Sequence, residues 1–162
     1  RLALVVGLVV GAAVGAGAGT VLAPTQTMFS PSFSTSTGTG CVSDPATGGW
    51  VGQVPSGETR TVALNVTFTH DVTDVDVRAN LTEPSPGNYR FTVEVLPGDG
   101  TKGQPPADCT PRTKSDALLS LPADYQTVTV VLDEAVVTRV EHPDHSFASF
   151  RTLSGNYSVN VD

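Results

Sequence analysis

Lysine is almost absent from this 162-residue chain, occurring only at Lys102 and Lys114. Nine Lys and Arg stand against sixteen Asp and Glu, and the basic residues form no cluster. Phosphate binding requires clustered Lys and Arg, so the balance argues against a nucleic-acid partner. It argues equally against an electrostatic grip on anionic lipid. An acidic, lysine-poor surface does stay soluble at high salt. Catalytic signatures are missing as well: there is no G-x-S-x-G, no phosphate-binding glycine loop and no H-E-x-x-H. Helical periodicity is missing beyond residue 40, where 116–121 is the best short helical candidate. We therefore expect no enzyme and no cofactor.

Charge of either sign is missing from residues 2–40. Residues 2–23 hold a single polar side chain, Thr20, before Pro24 ends the run. As a helix this stretch would span about 33 Å, enough for a hydrocarbon core of about 30 Å. A soluble core helix would show a polar face, and this one has none. Three fates remain open: a secretory signal cut after Ala16-Gly17-Ala18, a single-pass membrane anchor in contact with lipid, or a retained helix that packs against copies of itself. A chain beginning at Arg1 rather than methionine fits a processed protein that keeps the segment. Ala3, Gly7, Gly11, Gly15 and Gly19 recur at intervals of four. Positions four apart form one ridge of a helix, and a ridge of small residues lets a second helix approach closely. Leu2, Val5, Val6, Val9 and Leu22 occupy the other faces. Glycine costs up to about 1 kcal/mol per helical site, and packing would offset that cost.

Residues 24–40 are rich in Ser, Thr, Gly and Pro, with three large apolar side chains, Met28, Phe29 and Phe33. This is linker composition. Residues 41–162 read as a single all-β domain. Val62, Leu64, Val66 and Phe68 alternate with polar neighbours; so do Val75, Val77, Ala79 and Leu81, then Tyr89, Phe91, Val93 and Val95, then Val128, Val130 and Leu132, then Tyr157, Val159 and Val161. Period-two alternation predicts strands with one buried face. Turn signals stand between them at His70-Asp71, Pro84-Ser85-Pro86-Gly87, Pro97-Gly98-Asp99-Gly100 and Ser154-Gly155. Seven or eight such strands predict an antiparallel β-sandwich. Gly87-Asn88-Tyr89 and Gly155-Asn156-Tyr157 resemble the G-x-Y strand openings of immunoglobulin-like sandwiches, with a jelly-roll order equally compatible. Trp50, the only tryptophan, is expected in the core beside Val51.

Two cysteines, Cys41 and Cys109, are spaced too widely for a metal knuckle. In a secreted chain they read as one disulfide, pinning an irregular stretch at 105–114 to the start of the domain. Asn65, Asn80 and Asn156 each open an N-x-[ST] sequon, and each lies on the polar phase of its strand, where an N-linked glycan would face solvent. The ligand-type groups at His142-Pro143-Asp144-His145 read as a solvated turn. His70, Asp71, Asp74 and Asp76 read as a solvated face rather than a calcium loop.

A short uncharged helix, then a Ser/Thr-rich neck, then a glycosylatable β-sandwich: this order of parts resembles archaeal type IV pilin-like surface proteins, including filament-forming pilins and archaellins. The resemblance rests on residues 2–23 and on the sandwich with its three sequons. It implies an extracellular structural subunit whose helices pack into a filament core while the sandwiches coat the outside, with copies of itself as the partner. The segment is shorter and richer in glycine than is usual for that family. An anchored adhesive ectodomain and a secreted domain freed of its signal are the competing readings.

Overall fold

The computed structural model describes residues 29–43, 47–100 and 105–161. The hydrophobic segment and its ridge at Ala3, Gly7, Gly11, Gly15 and Gly19 lie outside the described residues. Within them the chain is all-β and contains no helix. Ten strands follow in order: β1 Ser32–Val42, β2 Gly48–Ser56, β3 Thr59–His70, β4 Val75–Ser85, β5 Asn88–Pro97, β6 Thr110–Pro122, β7 Thr127–Leu132, β8 Ala135–Glu141, β9 Ser149–Leu153 and β10 Ser158–Val159. They form two sheets. The first has the order β1-β6-β3-β2-β9, with β10 added to the end of β3; the second has the order β4-β5-β7-β8. Most pairings are antiparallel, as expected. Two run parallel, β5 with β7 and β10 with β3. The first arises because the chain leaves β5, crosses to the first sheet as β6, and returns to the second sheet as β7.

Alternation explains why the two sheets share one core. On β3, Val62, Leu64, Val66 and Phe68 point inward, and the register places Leu119, Ala117, Ser115 and Thr113 of β6 beside them on the same face. Tyr89, Phe91, Val93 and Val95 of β5, with Val128, Val130 and Leu132 of β7, supply the opposing layer. Phe68 and Phe91 are both fully buried. Fully burying an aliphatic or Phe side chain contributes about 1.5–3 kcal/mol, so this double row dominates the stability of the domain. The tight β7–β8 turn is stitched to β5. Asp133 adopts a left-handed φ of 51°, its amide donates to the Val93 carbonyl, and its Oδ1 accepts the Val95 amide at 2.8 Å. At Gly49 the pairing of β2 with β3 brings the backbones so close that a side chain would run into the Asn65 carbonyl.

Four expectations change. The stretch of linker composition supplies most of β1, which pairs with β6 along its whole length from Ser32 opposite Ser120 to Val42 opposite Thr110. The candidate helix at 116–121 lies inside β6. Irregular structure around Cys109 ends at Thr110, where β6 begins, rather than at Lys114. The Gly155-Asn156-Tyr157 opening leads to a strand of only two residues, whereas Asn88-Tyr89 does begin β5. Because Phe91 sits at the centre of the shared core, Phe91→Ala should cost about 3–5 kcal/mol. Chemical denaturation of the wild type and variant would measure that loss.

Candidate functional site

Cys41 at the end of β1 is bonded to Cys109, just before β6, with a Cα–Cα distance of 5.1 Å and a sequence separation of 68. In the chain-entropy model, closing a loop of that size stabilises the fold by roughly 4 kcal/mol. At the other end of β1, Phe33 sets its ring edge-on to the buried Phe91, with centroids 5.7 Å apart. The edge strand is therefore held at both ends, by a covalent bond and by an aromatic plug.

The three sequon asparagines sit in unlike places. Asn80 lies on the outer face of the edge strand β4 and is exposed, and Asn156 is exposed in the segment before β10. Asn65 also lies on the outward phase of its strand, but it is only 4% exposed. The register sets it between Trp50 of β2 and Asp116 of β6. Its Nδ2 donates to Asp116 Oδ1 at 2.9 Å, and its Oδ1 accepts from the Thr67 hydroxyl at 3.4 Å. The atom that would carry a glycan is thus engaged and covered in the folded domain, unlike the expected solvent-facing position.

His70 is buried rather than part of a solvated face. Its Nδ1 lies 2.6 Å from the Val72 carbonyl, which can only accept, so Nδ1 holds the proton. With the ring neutral, Nε2 accepts from the Thr113 hydroxyl at 2.9 Å, which leaves Thr113 to accept from Thr39 at 2.7 Å. This chain ties the edge strand to the interior. The three acidic residues beside it have separate tasks. Asp71 accepts the Val161 amide, Asp74 accepts the Gly100 amide, and Asp76 lies exposed on β4. His142 and His145 also diverge: His142 packs edge-on against Tyr125 with centroids 5.3 Å apart, and His145 stacks near Phe147. Among the described residues no group of three or more His, Cys, Asp or Glu could hold a metal ion.

A polar cluster lies inside one end of the sandwich, at positions that no sequence motif marks. The Tyr125 hydroxyl donates to Gln53 Oε1, and Gln53 Nε2 donates to the Glu141 carbonyl at 3.2 Å. Arg60, 5% exposed, donates through Nη2 to the His145 carbonyl. Burial pushes the Tyr125 hydroxyl up to about 12, with the nearby Arg60 charge acting in the opposite direction. The cluster crosslinks β2 and β3 to the ends of β7 and β8, and it presents no nucleophile beside a base. Only the unusual burial of an Arg and a Gln on otherwise apolar strand faces signals it, and Gln53 and Arg60 interrupt no alternation strong enough to draw attention.

The outer faces of the two sheets differ. On the first sheet, alternation places Trp50, Gly52 and Val54 of β2, Ala63 of β3, Leu118 of β6 and Phe150 of β9 outward. Trp50 is half-buried against Phe150, with centroids 5.6 Å apart, rather than in the core. Leu118 and Phe150 are 54% and 67% exposed. The outward charges there are Arg112, Lys114 and Asp116, and the last two pair at 3.4 Å. On the second sheet the outward residues include Asp76, Arg78, Arg90, Glu94, Arg139 and Glu141.

The chain matches no protein-family model, no curated protein and no solved structure. Its functional reading therefore rests on its own residues.

Two outcomes follow. If sugars are attached after folding, peptide mass spectrometry should find them at Asn80 and Asn156 and not at Asn65. Tyr125 remains neutral in the fold above the pH at which an unfolded tyrosine ionises. Its share of stability is therefore complete below about pH 10 and falls as pH rises from about 10 to 12. Ultraviolet titration of wild type against Tyr125→Phe should show one tyrosine with a midpoint near 12 that the variant lacks.

Proposed function

We propose that the chain is the structural subunit of an extracellular surface filament, exported through the cytoplasmic membrane and similar in plan to archaeal type IV pilin-like proteins. Its N-terminal segment packs as a helix in the filament core, and the β domain lies outside, carrying N-linked glycans. The observation that carries this reading is the ridge of Ala3, Gly7, Gly11, Gly15 and Gly19 on a segment with no charge after Arg1. A helix with a small-residue ridge buries its backbone against a neighbour, and van der Waals packing of that kind drives association where the hydrophobic effect cannot. Membrane lipid is its surroundings before assembly, and copies of the same chain replace lipid afterwards.

The geometry of the domain adds support. Eight residues, 24–31, separate the hydrophobic segment from β1. From there the chain is paired with β6 and closed by Cys41–Cys109. Eight extended residues reach at most about 28 Å, so in this reading the domain would stay near its own helix, as a filament coat requires. A disulfide, an acidic surface and sequons on exposed positions suit an oxidising, extracellular location. The reading gives the domain a structural role and assigns it no catalytic residue.

The test is Gly11→Leu with Gly15→Leu, which adds two large side chains to the ridge. Electron microscopy of surface material should show that filaments disappear, while the secreted or membrane-held chain keeps the circular dichroism of a folded β domain. Normal filaments from the double variant would sink the proposal. Isolated membrane-bound monomers from the wild type would favour an anchored ectodomain instead.

A further inference from the structure

We infer that the outer face of the first sheet is a docking surface for a second copy of this chain, the two sheets meeting face to face about a two-fold axis that runs parallel to β3 near Ala63. The inference rests on the β domain alone and goes beyond helix-mediated assembly.

The face is set apart by three independent features. It carries the large exposed apolar residues Leu118, Phe150 and Val54 beside Trp50, whereas the outer face of the second sheet carries six charges on three strands and the exposed sequon residue Asn80. Contiguous apolar patches of this kind mark interaction sites on soluble domains. The face also carries little charge: Arg112, Lys114 and Asp116 amount to one net positive charge, on a chain whose formal net charge is −7. With Lys114 and Asp116 paired, Arg112 alone is uncompensated among these three, so two such faces bring little like charge together. Its one sequon, at Asn65, is covered and hydrogen-bonded, so sugars at the exposed sequons would leave this face bare.

Shape identifies the occupant as the same surface on another copy. Reading across the strands, one row runs Phe150, Gly52, Ala63, Leu118, Ser34. Its ends are large or hydroxyl-bearing and its centre is small. A hollow of about 290 Å³ opens beside Leu118, walled by Trp50, Asp116, Ser34 and Ser36. Rotation about an axis parallel to β3 sets Leu118 of one copy over Gly52 of the other and Phe150 over Ser34, at the wall of the hollow, and Ala63 meets Ala63. The same operation sets Lys114 opposite Gly48 and Asp116 opposite Trp50, so no like charges face each other. Self-complementarity of this kind is what an isologous interface requires.

The size fits a weak contact. Five strands spaced about 4.8 Å apart, paired over about seven residues, offer on the order of 500 Å² per copy, or about 1,000 Å² in all. That is near the lower limit for a specific interface, so the contact operates where copies are already concentrated, as on a surface or along an assembly.

The test uses the full chain with Ala63→Cys, compared with Arg78→Cys on the outer face of the second sheet, each treated with a short bifunctional maleimide. Peptide mapping confirms that Cys41–Cys109 stays intact. Ala63→Cys should give about tenfold more covalent dimer than Arg78→Cys, as expected of a specific face over random encounter. Adding Phe150→Asp, or separately Leu118→Asp, should bring the yield down to the Arg78→Cys level. Both side chains are more than half exposed, so circular dichroism should be unchanged. Equal yields at the two cysteines, or a yield indifferent to both aspartates, would overturn the inference, whatever else then covers the face. Repeating the cross-link in the Gly11→Leu, Gly15→Leu background separates the two proposals: loss of filaments with retained linkage leaves this contact standing on its own.

Discussion

Contact between the β3–β6 pair and the β5–β7 pair is the constraint on which the remaining structure depends. Each strand alone offers one apolar face that water would otherwise wet, and only the opposing layer can cover it. Satisfying both layers forces the chain to change sheets between β5 and β6 and again between β6 and β7. The parallel pairing of β5 with β7 is a by-product of those two crossings. The edge strands, turns and buried polar groups are then arranged around a core that is already determined. The β7–β8 turn illustrates this: the Asp133 carboxylate and amide both reach to β5, so a connection on one side of the sheet is fastened to the central strand it passes.

The strands that could be read from the sequence are those whose two faces differ. Val62-Leu64-Val66-Phe68 and Tyr89-Phe91-Val93-Val95 alternate because one side is core and the other is water. β1 leaves no such pattern, for the opposite reason. All of it except Val42 is exposed, so it has no buried face to leave an apolar period, and its Ser, Thr and Gly residues have the composition of a tether. Its strand state comes from backbone pairing with β6, which no side-chain pattern records. β6 was obscured differently: its inward residues include Thr113 and Ser115, while Leu118 points outward beside buried Leu119. Adjacent leucines of that kind imitate a helical face. β8 and β9 are short edge strands whose residues are mostly solvent-facing, and they leave little periodicity.

Individual sites were legible to unequal degrees. The disulfide followed from count and spacing. The sequons were visible as motifs, yet their accessibility was not, because it depends on which residues the register brings alongside. Asn65 is covered because Trp50 and Asp116 flank it from strands that lie 15 residues before and 51 residues after it. His70 looked like one of a group of exposed ligands in the chain, but strand phase turns it inward while Asp71 begins the turn. Strand phase also sends Trp50 outward and its neighbour Val51 inward.

The placement of Cys41–Cys109 has a mechanical consequence. Tension arriving from the N-terminal side enters the domain through β1, along the axis of an eleven-residue strand. Backbone bonds to β6 are then loaded in shear, all together, rather than being peeled one after another. Should they yield, the slack ends at Cys41, where force passes covalently to Cys109. The strands β2 to β5 lie within the closed loop, off the covalent path of the pull. A pull on this subunit therefore stops lengthening the chain at a bond near the root of β6, and the segment carrying β2 to β5 cannot be drawn out in line with it.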